Sequence, residues 1–230
     1  MLEAIDLSKT YGNHKALKGL NLTVAAGEVY CLLGQNGAGK TTAINLFLGL
    51  IKPSGGKALI GGKEVKLDSD TNQMIAYIPE VVQLYGNMNG IENLNFFSRL
   101  SGHAHSKTVL IELLKKAGLK EVDHTKKLES YSKGMRQKVG IAIALSKNAK
   151  IIFMDEPTSG LDPKATYEFT SICKELVGEG KSIFMATHDI FNAVNVGTRI
   201  GIMNEGKLVH TADTNNINAD ELQQLYLKTI

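Results

Sequence analysis

The octet Gly34-Gln35-Asn36-Gly37-Ala38-Gly39-Lys40-Thr41 has the spacing GxxxxGK[ST], and each residue type in it suits one task in holding a polyphosphate. The glycines let backbone amides turn inward around phosphate oxygens, and the N-terminus of a following helix adds the positive end of its dipole. Lys40 then reaches the β and γ phosphates, and Thr41 can ligate Mg²⁺. Such a loop alone leaves kinases, GTPases, helicases and transport ATPases open. A second group lies at residues 151–156, Ile-Ile-Phe-Met-Asp-Glu. Four apolar residues followed by two acids read as a buried strand with Asp155 at its end, placed to hold Mg²⁺ through its water shell. Glu156, one residue on, is placed to take a proton from an attacking water.

These residues must be carried by elements that bring them together. Residues 28–33 are a short apolar run cut off by Gly34, and residues 40–50 repeat apolar positions at helical spacing, so the octet lies between strand and helix as the pattern requires. Upstream, residues 2–7 and 20–24 alternate or cluster apolar side chains between polar turns, which predicts a small antiparallel sheet. Residues 57–60 and 63–67 around Gly61-Gly62 predict a hairpin. Between residues 86 and 150 the period becomes helical, over 91–100, 107–117 and 134–145. Residues 151–154 and 182–186 then read as strands buried on both faces, with a helix over 163–177 between them. Residues 199–203 and 207–210 flank a Glu205-Gly206 turn, and Asn218 with Glu221 forms a capping-box pattern opening a last helix.

The fold expected is α/β: a P-loop NTPase core with a mainly parallel sheet, an N-terminal antiparallel β subdomain and an inserted α-helical subdomain. The whole chain, 1–230, is expected to be one domain, with 1–85 and 151–230 as the core and β subdomain and 86–150 as the helical insertion. At 43% apolar and 21% charged residues the composition excludes disorder and low-complexity classes. The longest apolar run, 43–51, is broken at Asn45 and Gly49 and is far short of the ~18 residues of a membrane span. The first eleven residues carry Glu3 and Asp6 rather than the basic start and apolar block of a secretory signal, so a cytosolic protein is expected. Cys31 and Cys173 lie in apolar surroundings with no CxxC pairing, which predicts buried reduced thiols. The excess of 26 lysines and arginines over 23 acids is small and scattered, which speaks against nucleic acid as a partner.

With these groups in place, Tyr131-Ser132-Lys133-Gly134-Met135-Arg136-Gln137 resembles the signature motif of ATP-binding cassette (ABC) ATPases. Ser159-Gly160-Leu161-Asp162 resembles the family's D-loop, Thr187-His188-Asp189 its switch-histidine segment, and Tyr11 is placed like its adenine-stacking aromatic, all in the family's order. The resemblance implies ATP contacts by Tyr11, Gly34, Asn36, Gly37, Ala38, Gly39, Lys40, Thr41 and Thr42, catalysis by Glu156 and His188, and Mg²⁺ held by Thr41, Glu80 and Asp155. It also implies that Ser132, Lys133 and Gly134 face the ATP of an opposite subunit in a head-to-tail dimer, either of two copies or with a similar ATPase, with Asp162 in the D-loop.

Two motifs depart from the common family pattern. Tyr131, Lys133 and Met135 replace leucine, glycine and glutamine in the signature, so that Lys133 adds a cation that either strengthens nucleotide capture or faces solvent. In Tyr77-Ile78-Pro79-Glu80, which resembles the family's Q-loop, a carboxylate stands where the usual residue is an amide. With the terminal segment 222–228, these features resemble the ABC-2 branch, whose members serve drug, antibiotic-peptide and polysaccharide export. The implied function is the ATP-hydrolysing subunit of an exporter, peripheral on the inner face of the cell membrane and driving separate permease subunits. Leu84, Tyr85, Met88, Ile91, Leu94, Phe96 and Phe97 are expected to be mostly core, with the rest forming a groove for a cytoplasmic helix of that permease. The rival reading is a soluble ABC ATPase working on ribosomes or DNA. It lacks support because neither a second cassette nor a coiled-coil insertion is present, while a non-hydrolytic regulator would not need both Glu156 and His188.

Overall fold

The computed structural model describes residues 1–66 and 70–230. In chain order its elements are β1 (Leu2–Tyr11), β2 (His14–Val24), β3 (Val29–Leu33), α1 (Lys40–Phe47), β4 (Gly55–Ile60), β5 (Lys63–Glu64), β6 (Ile75–Ile78), α2 (Gly90–Leu100) and α3 (Lys107–Lys116). There follow α4 (Lys133–Ser146), β7 (Ile151–Asp155), α5 (Pro163–Gly178), β8 (Ser182–Thr187), α6 (Ile190–Val196), β9 (Arg199–Asn204), β10 (Lys207–Asp213) and α7 (Ala219–Thr229). One sheet has the order β2-β1-β4-β5 and is antiparallel throughout. The other has the order β10-β9-β3-β8-β7-β6 and is parallel except at the β9–β10 edge.

The parallel sheet is buried on both faces, and alternation along each strand divides its side chains between two cores. Val29, Cys31 and Leu33 of β3, Ile152 and Met154 of β7, and Ile183 and Met185 of β8 face one core. That core also holds Leu94 of α2, Leu110 and Leu114 of α3, Val139 and Ile141 of α4, and Phe169, Ile172 and Leu176 of α5, so the helical insertion packs continuously with the sheet. The intervening Tyr30, Leu32, Ile151, Phe153, Phe184 and Ala186 face the second core with α1 and the antiparallel sheet. There Phe47 of α1 lies 5.8 Å from Phe153 and 5.7 Å from Phe184, ring centroid to centroid, and fixes the helix that follows the glycine loop against β7 and β8.

Several elements differ in length from their sequence signals. β1 and β2 pair from Leu2↔Val24 to Tyr11↔His14, well past the apolar stretches, because the backbone ladder continues where side chains turn polar. The run of α1 stops at Phe47 rather than residue 50, since Gly49 takes a φ of 69°. The hairpin turn at Gly61 and Gly62 has φ of 58° and 78°, as a two-residue primed turn needs, but β5 is two residues long, and Leu67, the expected outer end of its strand, lies outside the described residues. Both β6 and α6 lack a sequence expectation. The capping box at Asn218 and Glu221 opens α7 as expected, and Cys31 and Cys173 are both buried free thiols, with burial pushing Cys31 up to about 12 and Cys173 higher still.

The aromatic cluster under α1 gives a direct stability test. Phe47→Ala is expected to lower the unfolding free energy by about 3–5 kcal/mol. The control Leu50→Ala, at a residue 62% exposed, is expected to change it by under about 0.5 kcal/mol. Urea denaturation separates the two, and equal losses would contradict the anchoring role of Phe47.

Candidate active site

The glycine loop begins where β3 ends, and its first amide, of Gly34, donates to the Thr187 carbonyl at 3.3 Å. Gly37 and Gly39 have φ of 84° and 104°, a region that side chains disfavour. Gly39 is the N-cap of α1 and supplies no side-chain acceptor, so the first amides of the helix keep their donor capacity for an anion. The buried Lys40 Nζ donates to the carbonyls of Gly34 at 2.6 Å and Gln35 at 3.3 Å, and stands 3.3 Å from Glu156 Oε1 in an ion pair. A buried ammonium needs such partners, and a triphosphate offers the same kind of oxygens.

Two acids follow at the end of β7. Asp155 Oδ2 accepts the Thr41 hydroxyl at 2.9 Å. Burial raises the Asp155 carboxyl above its usual range; the Thr41 hydrogen bond and Lys40 oppose this, while the nearby charges of Glu156 and Glu80 add to it. Hard oxygen donors side by side in a surplus of negative charge suit Mg²⁺, so the residues fit that ion. Glu156 has a φ of 45°, a strained conformation for a non-glycine residue, held by its amide donating to the Ala186 carbonyl at 2.8 Å. Its Oε2 meets His188 Nδ1 at 2.8 Å and accepts the His188 amide at 3.2 Å. The carboxylate is thus aimed by a histidine on one oxygen and a lysine on the other.

One cavity collects these groups: Tyr11, Asn36, Gly37, Gly39, Lys40, Thr41 and Thr42 line it with Glu80, Asp155 and Glu156. Gly34, Ala38 and His188 are not among its lining residues, though each borders one that is. The half-exposed Tyr11 ring carries Lys9 Nζ 5.0 Å from its centroid. The signature residues Ser132 and Gly134 line a different cavity with Asp162, between α4 and α5. There Ser132 Oγ caps α4 by accepting the Met135 amide at 3.3 Å, and Asp162 Oδ1 caps α5 by accepting the Ala165 amide at 2.8 Å. Lys133 lines neither cavity.

Sequence reasoning assigned no role to four further residues. His14, Ala16 and Gln35 also line the first cavity. The buried Gln137 donates from Nε2 to the Pro157 carbonyl at 3.0 Å, tying α4 to the residue after Glu156. It closes the signature segment between Arg136 and Lys138, and nothing in that local sequence signals the contact. The apolar segment after Glu80 is less buried than expected: Leu94 is fully enclosed, while Tyr85, Phe96 and Phe97 form a partly exposed cluster with Tyr85 and Phe96 edge to face at 5.0 Å.

A profile of the ABC transporter family matches residues 17–159, more than half of the chain. An uncharacterized ABC transporter ATP-binding protein of Nostoc sp. is 42% identical over 214 residues, covering 89% of this chain and 64% of that protein. The bacitracin transport ATP-binding protein BcrA of Bacillus licheniformis is 38% identical over 212 residues, covering 91% of this chain and 68% of that protein. The chain therefore spans about two thirds of the length of these relatives. Among solved structures, a dimeric ATP-binding cassette in a post-hydrolysis state with ADP and phosphate has a TM-score of 0.83 at 30% identity, with 93% of this chain and 99% of that one covered. Motif order, sequence likeness and cassette fold agree, and the chain belongs to the ABC transporter family as one of its ATP-binding cassettes.

Proposed function

We propose that this chain binds and hydrolyses ATP to drive a transporter whose membrane passage is made by separate permease subunits, and that the transport is export. The observation that carries this reading is the meeting of Lys40, Thr41, Asp155, Glu156 and His188 at the ends of neighbouring strands. The bacitracin transport role of one relative supports transport, and the daunorubicin/doxorubicin resistance role of another, 32% identical, supports export. Among the described residues no helix is long and apolar enough to cross a membrane. The exposed cluster of Tyr85, Phe96 and Phe97 suits a groove for a cytoplasmic helix of the permease, which would place the subunit at the inner face of the membrane.

The chemistry follows from which contacts a nucleotide replaces. Lys40 turns from the Gly34 and Gln35 carbonyls to phosphate oxygens, and its ion pair with Glu156 weakens. Glu156, still held by His188, is then free to take the proton of the attacking water. Thr41 and Asp155, with Glu80 nearby, would hold Mg²⁺, which supplies charge neutralisation at the β and γ phosphates. Within one chain the signature residues and the glycine loop line separate cavities. A complete site therefore needs a second chain set head to tail, either another copy or a similar ATPase, with Ser132 and Gly134 turned to the partner's nucleotide. The dimeric arrangement of the solved cassette supports this.

Glu156→Gln is expected to keep ATP binding and slow turnover by ~10² or more, because the amide cannot take a proton. An ATP-trapped dimer should elute early in gel filtration, and a monomer with unimpaired hydrolysis would remove Glu156 from the mechanism. For the base, Tyr11→Ala is expected to weaken ATP binding by about three- to tenfold while Tyr11→Phe and Tyr11→Trp retain it. Equal affinities for the alanine and phenylalanine variants in calorimetry would place Tyr11 outside the site.

A further inference from the structure

Two of the positions that depart from the family pattern, Lys133 and Glu80, meet each other within one chain. Lys133, the first residue of α4, has its Nζ 4.0 Å from Glu80 Oε1, and the same oxygen accepts the Ser159 hydroxyl at 3.0 Å. The lysine chain runs beside Gly160, where a Cβ would stand 3.7 Å from Nζ and 3.9 Å from Cδ. Among the described residues Lys133 is the one cation within ion-pair distance of Glu80, and Glu80 is the one acid paired with Lys133.

We propose that Lys133 is a positioning residue for Glu80: it draws the carboxylate toward α4 and Ser159 and so limits how strongly Glu80 acts on the metal side of the cavity. The charge balance of that cavity favours such a device. Its wall carries three carboxylates, of Glu80, Asp155 and Glu156, against the single ammonium of Lys40. A third carboxylate left to itself there repels the other two, and a cation brought in from outside the cavity relieves the repulsion by holding it aside. The pair is also a strap across three motifs, since it joins the start of the signature helix to the segment after β6 and, through Ser159, to the segment leading into α5. The side chains are 34% and 51% exposed, so the contact is worth a few-fold in an equilibrium constant and can open and close in each cycle. On this view the lysine serves its own chain's glutamate and is not a ligand of the opposite subunit's phosphates.

The inference rests on the reading of Lys40, Thr41 and Asp155 as a Mg·ATP site. Its test is calorimetric, with the non-hydrolysable analogue AMP-PNP titrated at a series of Mg²⁺ concentrations at fixed, physiological ionic strength. Lys133→Met is expected to lower the half-saturating Mg²⁺ about threefold, because the released carboxylate relaxes toward the metal. Glu80→Gln is expected to raise it. In the Glu80→Gln background, Lys133→Met should shift it by under about 1.5-fold, since no carboxylate is left to hold. Lys133→Arg should keep the wild-type value, and melting temperatures check that all variants fold. An equal shift from Lys133→Met in both backgrounds, or no shift in either, overturns the positioning role while leaving the ATP site standing. Absence of AMP-PNP binding by the wild type overturns both.

Discussion

Parallel pairing of β3, β8 and β7 is the constraint on which the site depends. In register, Leu33 lies beside Thr187, and Asp155 beside Ala186. The three strands therefore end together at one edge of the sheet, where the glycine loop, Glu156 and His188 emerge within hydrogen-bonding reach. Ligands of open α/β sheets gather outside the carboxyl ends of strands for this reason. No loop has to be long: Gly34 docks by its amide on Thr187, and Glu156 docks by its amide on Ala186. Chemistry at this edge then rests on apolar packing several residues back, where Phe47, Phe153 and Phe184 hold α1 against the sheet.

That packing also bears the costs of the site. A buried lysine, a carboxyl raised by burial and crowding, and a glutamate in the left-handed region each oppose folding. They persist because the lysine finds two carbonyls and a carboxylate, and because both faces of the sheet supply a continuous core. The arrangement is poised: the contacts that satisfy Lys40 in the protein alone are ones a triphosphate can replace, and on the proposed reading replacing them frees the carboxylate assigned to hydrolysis.

Legibility in the sequence followed the strength of local signals. The glycine loop, the buried strands of residues 151–154 and 182–186 and the acids after them could be read directly, because glycines at that fixed spacing and unbroken apolar runs of strand length each suit very few local structures. The short β6 and α6 were not legible: Ile75–Ile78 is four residues long, and Ile190–Val196 barely completes two turns, so neither gives a periodicity to count. The partnership of Gln137 with Pro157 was hidden because it joins residues 20 apart through a fold that no local pattern encodes. The same holds for Lys133 and Glu80, each visible as an unusual residue but not as a pair. Conversely, the apolar segment around Tyr85 and Phe96 reads as mostly core and exposes more than that, since composition reports hydrophobicity and not which face is covered.

The central claim is that the strand ends assemble a site that hydrolyses ATP with a divalent ion held by Thr41 and Asp155. Phosphate release from ATP by the purified protein, followed continuously with Mg²⁺ and again with the ion removed by chelation, tests it most directly. The account predicts sustained release in Mg²⁺ and none after chelation. ATP bound in the presence of Mg²⁺ with no phosphate released, or release that is indifferent to the chelator, would contradict it.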